Sequence, residues 1–261
     1  MGIEEAIQAE LDEVERTCDV RVLLAVEAGS RSIGTASADS DYDVRFVYVR
    51  QLSEYVYLGR LYGDFEDTIE WKLEGEYDIV GWDVSKFLAL MRKSNPSVFE
   101  WLSSPVVYRE APEFQEVRAF APSCYSGKSS AYHYLAKADH DLKYLARPEA
   151  PQLKTYIQLV HALLSARWAL GRGMPATYEL SALAKCELEP SLRPVVEAAV
   201  ERKVRRTAKD QPVRILELDE WAPLAKEQVA ERAKAMPAVK PVEWDVVDDV
   251  FFKIVRGDRQ W

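Results

Sequence analysis

Two aspartates, Asp41 and Asp43, stand two residues apart in Asp39-Ser40-Asp41-Tyr42-Asp43-Val44-Arg45, shortly after Gly29-Ser30 and a small polar loop. On a strand, residues i and i+2 share a face, so both carboxylates point the same way with Cα atoms roughly 7 Å apart. Two hard oxygen ligands so placed suit Mg²⁺, which takes few carboxylates and completes its shell with water and substrate phosphate. The Gly-Ser pair upstream lets backbone N–H groups and a hydroxyl approach a phosphate, because glycine has no Cβ in the way. A third carboxylate on a neighbouring strand would permit two metals about 3.5–4 Å apart, flanking an in-line phosphoryl displacement. Asp78, in Tyr77-Asp78-Ile79-Val80, is the best placed. Asp83 and the acids from Asp64 to Glu70 are its rivals, Asp83 reading better as strand end and helix cap. The chemistry such a set supports is transfer from a metal-bound triphosphate, with the protein supplying position and charge.

The elements that must hold these residues are legible from periodicity. Ile3, Ile7, Leu11 and Val14 recur at helical spacing, ending near Thr17. Val20 to Val26 is a short apolar, β-branched run, the pattern of a buried strand, closed by the turn Glu27-Ala28-Gly29-Ser30. Tyr42 to Val49 predicts a second strand; Thr68 to Leu73 and Tyr77 to Trp82, either side of Gly75, predict a hairpin. Asp83 caps a helix over Val84–Lys93, Asn95-Pro96 stops it, and a short helix through Phe99 and Trp101 follows. Beyond Ala121-Pro122-Ser123 the rhythm turns helical, in windows Ser130–Arg147, Leu153–Leu170, Leu192–Ala208 and Ala222–Ala235. The expected organisation is therefore α+β: residues 1–120 a catalytic domain around a mixed sheet, 121–261 an all-α domain.

The order strand, Gly-Ser, loop, Asp-x-Asp resembles the nucleotidyltransferases of the DNA polymerase β superfamily. The wording GSRSIGTASADSDYDVRFVYV, with DIVGWDVSKFLALMRKSNPSVFEWLSSPVVY later, is similar to the RlaP group, predicted nucleotidyltransferases associated with RNA repair. The resemblance runs through His133-Tyr134 and the Lys154–Trp168 helix, to about residue 185. It implies a polymerase-β-like palm, Mg²⁺ dependence with a two-metal site and Mn²⁺ as a substitute, an NTP donor, and a helical domain that helps hold the nucleotide. By motif position, Gly29 and Ser30 would meet the triphosphate, and Asp41, Asp43 and Asp78 would hold metal. Arg31 follows the Gly-Ser pair and is a candidate for phosphate. On the helix beside the nucleotide, Lys154 and Arg167 would act on phosphates and Tyr156 would stack on a base, although two cations 13 residues apart on a helix lie about 20 Å apart and cannot share one phosphate. The implied reaction moves a nucleoside monophosphate from an NTP to an acceptor hydroxyl. An RNA 3′ end is the acceptor the resemblance suggests; AMP transfer to a protein or small molecule, or silent nucleotide or RNA binding, are the alternatives.

Composition narrows the rest. The 261 residues, 48% hydrophobic and 30% charged, exclude disordered and low-complexity classes. A net charge of −9 argues against a general nucleic-acid-coating protein. It is unevenly spread: residues 1–120 carry 12 Lys+Arg against 24 Asp+Glu, net −12, leaving net +3 for the remainder. An RNA contact is therefore expected on the second half, with weak, salt-sensitive affinity. The densest positive run, Arg202 to Lys209, reads first as a solvated helix face and second as an RNA-backbone contact. Cys18, Cys124 and Cys186 have neither disulfide-framework nor zinc spacing, and His133, His140 and His161 form no ligand set. With no secretory leader and no 18-residue apolar run, the expectation is a cytosolic protein with neither a membrane nor an obligate protein partner.

Overall fold

In the computed structural model, which describes residues 2–61, 63, 65–72, 77–147, 151–205 and 213–256, the chain alternates helix and strand before becoming wholly helical. The order is α1 (Ile3–Cys18), β1 (Arg21–Glu27), α2 (Gly29–Ser32), β2 (Tyr42–Val49), α3 (Leu52–Val56), α4 (Leu58–Leu61), β3 (Thr68–Lys72), β4 (Tyr77–Asp83), α5 (Val84–Arg92), α6 (Pro96–Leu102), β5 (Val107–Glu110), α7 (Phe114–Cys124), α8 (Gly127–Leu145), α9 (Leu153–Arg172), α10 (Leu180–Glu187), α11 (Arg193–Val204), α12 (Leu216–Ala235) and α13 (Trp244–Arg256). The five strands form one mixed sheet, ordered β3-β4-β2-β1-β5, parallel only between β2 and β4. This is an α+β architecture.

The sheet is covered on both faces, which explains the continuous apolar run of β1. Val44, Phe46 and Tyr48 of β2 face α1, where Ile7, Leu11 and Val14 are fully buried. Val47 and Val49, of the opposite parity, face α5 and α7. A register shift between Val22 and Leu24 lets both Leu23 and Leu24 enter that second layer. Asp43 and Arg45 share the parity of Val47 and Val49, so they emerge where this apolar layer ends.

A separate core joins α8, α9, α10, α11 and α12. Gly127 lets α8 cross α9 closely, since a Cβ there would lie 2.4 Å from the Ala169 carbonyl oxygen. The passage between the cores differs from the expected boundary at Ala121-Pro122-Ser123. Those residues sit inside α7, whose Phe114, Val117, Ala121 and Cys124 form one buried stripe on the sheet layer. The crossing comes at Tyr125–Ser126, where the Ser126 hydroxyl caps α8 by accepting from Ser129 N–H at 3.2 Å. Nor is everything beyond it helical-domain structure: α13 returns to α5 and α7, burying Val247, Val250, Ile254 and Val255 in the first core. The apolar face of α13 decides its place, whatever its position in the chain. The turn around Gly75 and the Arg206–Lys209 part of the basic run lie outside the described residues. Among the described residues, no helix is long and apolar enough to cross a membrane.

Candidate active site

The C-terminal end of β1 and the N-terminal ends of β2 and β4 converge at one edge of the sheet. After Glu27 the chain turns through Ala28 into α2, a single turn starting at Gly29 with φ +61°. A Cβ on Gly29 would fall 1.9 Å from Asp43 Oδ2, so glycine is required twice over: for the left-handed backbone and for the room the carboxylate takes. The Ala28 N–H donates to the Asp43 carbonyl at 2.7 Å, and the buried hydroxyls of Ser32 and Ser104 donate to the Glu27 carbonyl at 2.5 and 2.6 Å. The loop beyond α2 folds back through Thr35 N–H to Ser30 O, 2.8 Å, and Ser37 N–H to Ser40 Oγ, 2.9 Å.

Glu27, which sequence reasoning took only as part of a turn, is a buried support of the site. It is 1% exposed, accepts from the Asp43 N–H at 3.0 Å and from the Tyr108 hydroxyl at 2.5 Å, and its carboxyl is pushed up by burial. The signal available in the sequence was an acid ending an otherwise apolar strand. Asp43 is likewise pushed up, first by burial; Arg45 and Lys154 oppose this, while Asp78 and Asp41 add to it.

Asp78 stands opposite Asp43 in the parallel register of β2 and β4. Between the two lies the Arg45 guanidinium, whose Nη2 is 3.2 Å from Asp43 Oδ1 and 3.0 Å from Asp78 Oδ2. Asp83 is five residues further along β4, about 16 Å away at strand rise. It is fully buried, accepting from Ser85 N–H at 2.8 Å and from the Tyr55 hydroxyl at 2.8 Å, and so caps α5. Asp41, Asp43, Gly29 and Ser30 all line a cleft of about 840 Å³; Asp78 lies beside it. Asp41 lies one residue before β2 rather than on the strand with Asp43, but both line the cleft and Asp41 is close enough to raise the Asp43 carboxyl, a hard-oxygen pair of the kind that suits Mg²⁺ or Mn²⁺. The expected three-carboxylate set is not assembled: among the described residues no group of three His, Cys, Asp or Glu converges to hold a metal.

The facing wall is built by the helical core. Lys154, Ile157, Gln158 and His161 form a stripe along α9 at i, i+3, i+4 and i+7, joined by Lys137 of α8 and Lys203 of α11. Glu100 of α6 completes this side, its carboxyl pushed up by burial and accepting from the Tyr134 hydroxyl at 3.0 Å. His161 is 3% exposed and donates through Nε2 to the Tyr178 carbonyl at 3.1 Å, since a carbonyl can only accept. Burial brings its pKa down to about 4, so the ring is neutral. Lys203, read from sequence as part of a solvated run, instead donates to the Thr35 carbonyl at 2.5 Å and ties α11 to the polar loop.

Three sequence-proposed nucleotide contacts are placed elsewhere. Tyr156 is fully buried on the opposite side of α9 from Lys154; its hydroxyl donates to Asp219 at 2.7 Å and accepts from Ile215 N–H at 3.2 Å. Arg167 holds the Glu187 carbonyl and the Glu189 carboxylate, each at 2.9 Å, and lies over the Trp221 ring. Arg31 lies 3.7 Å over the Tyr42 ring and donates to the Ser40 carbonyl at 2.7 Å, bracing the loop rather than lining the cleft. A 3.6-residue period sends positions 154 and 156 about 200° apart, which the family wording could not reveal.

A family model described as RlaP, RNA repair pathway DNA polymerase beta family, matches residues 3–253. The chain belongs to the RlaP family. The match passes through both cores, so the RlaP family unit includes the helical wall and most of α13 as well as the sheet. Among curated proteins the chain is 33% identical over 233 residues, 88% of each, to one from Bacillus subtilis (strain 168) named "Uncharacterized protein YcgL". Among solved structures, that of a nucleotidyltransferase-like protein from Exiguobacterium sibiricum 255-15 aligns over 100% of this chain and 82% of its own, at 12% identity and a TM-score of 0.32.

Proposed function

We propose that this RlaP family protein transfers a nucleoside monophosphate from an NTP to an acceptor hydroxyl, with an RNA 3′ end as acceptor. The observation that carries the reading is one cleft whose two walls are opposite in charge: Asp41 and Asp43 beside Gly29-Ser30, facing Lys137 and Lys154. The RNA acceptor is supported by the family description alone. In the reaction the acceptor oxygen forms a bond to the α-phosphorus, the bond to the bridging oxygen of pyrophosphate breaks, and the hydroxyl proton leaves to solvent.

Asp41 and Asp43 would hold a divalent cation, which lowers the pKa of an attacking hydroxyl and neutralises phosphate charge when bound. Gly29 and Ser30 meet the triphosphate, Lys154 and Lys137 hold its charge from the helical side, and Glu27 keeps the Asp43 backbone fixed. The cytosol supplies NTP, RNA and a reducing medium for three free cysteines.

The test is incubation with Mg²⁺, each α-labelled NTP and 3′-OH RNA. Label in RNA with wild type and none with Asp41→Ala/Asp43→Ala supports the reading. Equal labelling by the double variant overturns the assigned site; label in protein or a small molecule with none in RNA overturns the acceptor.

A further inference from the structure

Arg45 shares its strand face with Asp43 and is anchored more firmly than either carboxylate beside it. Its Nη1 donates to the Val44 carbonyl at 3.1 Å and the Asp78 carbonyl at 2.9 Å, while Nη2 reaches both carboxylates. Its side chain is 19% exposed, against 29% for Asp43 and 49% for Asp78. The parallel pairing of Asp43 with Asp78 fixes the gap into which this guanidinium fits. An ion bridging the pair would need to sit about 2 Å from an oxygen of each, in the space the guanidinium nitrogen fills. A guanidinium stays charged at any working pH, so it cannot yield by deprotonation and would have to leave four acceptors.

We propose that Arg45 competes with a second divalent cation for the Asp43–Asp78 pair. The nucleotide-free protein then binds one such ion, at Asp41 and Asp43, and Asp78 serves as a positioning residue that anchors Arg45. This rests on the nucleotidyl-transfer reading and departs from the two-metal expectation attached to it. The absence of Asp78 from the cleft lining and of a converging three-carboxylate group among the described residues both accord with it.

The experiment counts tightly bound Mn²⁺ on the full chain by electron paramagnetic resonance without nucleotide, taking Asp41→Asn/Asp43→Asn as background and checking each variant's fold by circular dichroism. Expected are one ion in wild type, one in Asp78→Asn, two in Arg45→Gln, and one again in Arg45→Lys, where the cation is restored. The second site should tighten by about tenfold or more on loss of the guanidinium, the scale on which neighbours of metal ligands act. Two tight ions in wild type, or no gain in folded Arg45→Gln, would overturn the proposal. If Arg45→Gln does not fold, the wild-type count still decides. A wild-type count equal to background would instead overturn the metal reading beneath it.

Discussion

The two walls of the cleft are built differently. On the sheet side, Glu27, Gly29, Ser30, Asp41 and Asp43 come from a stretch of 17 residues, tied by backbone hydrogen bonds between adjacent strands. On the helical side, Lys137, Lys154 with His161, and Lys203 come from three helices whose relative placement depends on a common apolar core. Local pairing sets the first wall to the geometry of a strand; packing at a distance sets the second. Substitutions on the sheet wall should therefore act on chemistry, and those on the helical wall on binding and stability.

The largest effect expected from that contrast is on turnover. Asp43→Asn or Asp41→Asn should lower kcat for nucleotidyl transfer by roughly 10³-fold with little change in melting temperature. Turnover within a few-fold of wild type would break the assignment of the carboxylates to the chemistry.

Two groups on the helical side, His161 and Glu100, should answer acid with opposite signs. His161 titrates at about 4 in the folded protein and near 6.5 unfolded, so between those values the unfolded chain binds more protons and stability falls as pH drops. Denaturant titrations of wild type against His161→Gln should show a gap that shrinks by about 3 kcal/mol from pH 7 to pH 4. Glu100 works the other way: its raised folded value makes its contribution largest below the unfolded carboxylate range, and that contribution is lost as pH rises through the folded value. Wild type minus Glu100→Gln should therefore slope oppositely.

Next comes a contrast between two glycines of positive φ. Gly29→Ala drives a methyl into Asp43 Oδ2 and should cost about 10²-fold in kcat, the penalty of misplacing a reacting group by an ångström. Gly34→Ala, with φ +76° and nothing within 4 Å of its Cβ, should cost about 1 kcal/mol of stability and leave kcat unchanged. Equal loss of activity in the two would remove the steric argument. The smallest effects separate the faces of α9. Lys154→Ala should raise KM for NTP by about tenfold, and Tyr156→Phe should leave KM alone while costing about 1 kcal/mol through its lost bond to Asp219.

Much of the sheet wall was legible because its cues are local. The apolar run of β1, the Val-, Phe- and Tyr-rich composition of β2 and the Asp83 cap each follow from residues within one element, and Asp83 proved to be that cap. Edge strand β5 was missed: four residues with Val107 exposed give no usable period. The buried role of Glu27 was missed because its partners, Asp43 N–H and Tyr108, lie 16 and 81 positions away. On α9, Lys154 was placed and Tyr156 was not, since wording shared with a family does not say which face of a helix meets the nucleotide.

By itself, then, the sequence determined the family, the α+β class, and the Gly-Ser and Asp-x-Asp elements, because strand period, glycine chemistry and capping act over a few residues. Only the tertiary structure decided that Arg45 separates Asp43 from Asp78, that Lys137 and Lys203 reach the cleft, and that α13 returns to the first core. Those outcomes depend on strand register and on which apolar faces bury one another, properties of segments far apart in the chain, as in the Lys203 hydrogen bond to the Thr35 carbonyl, 168 positions away.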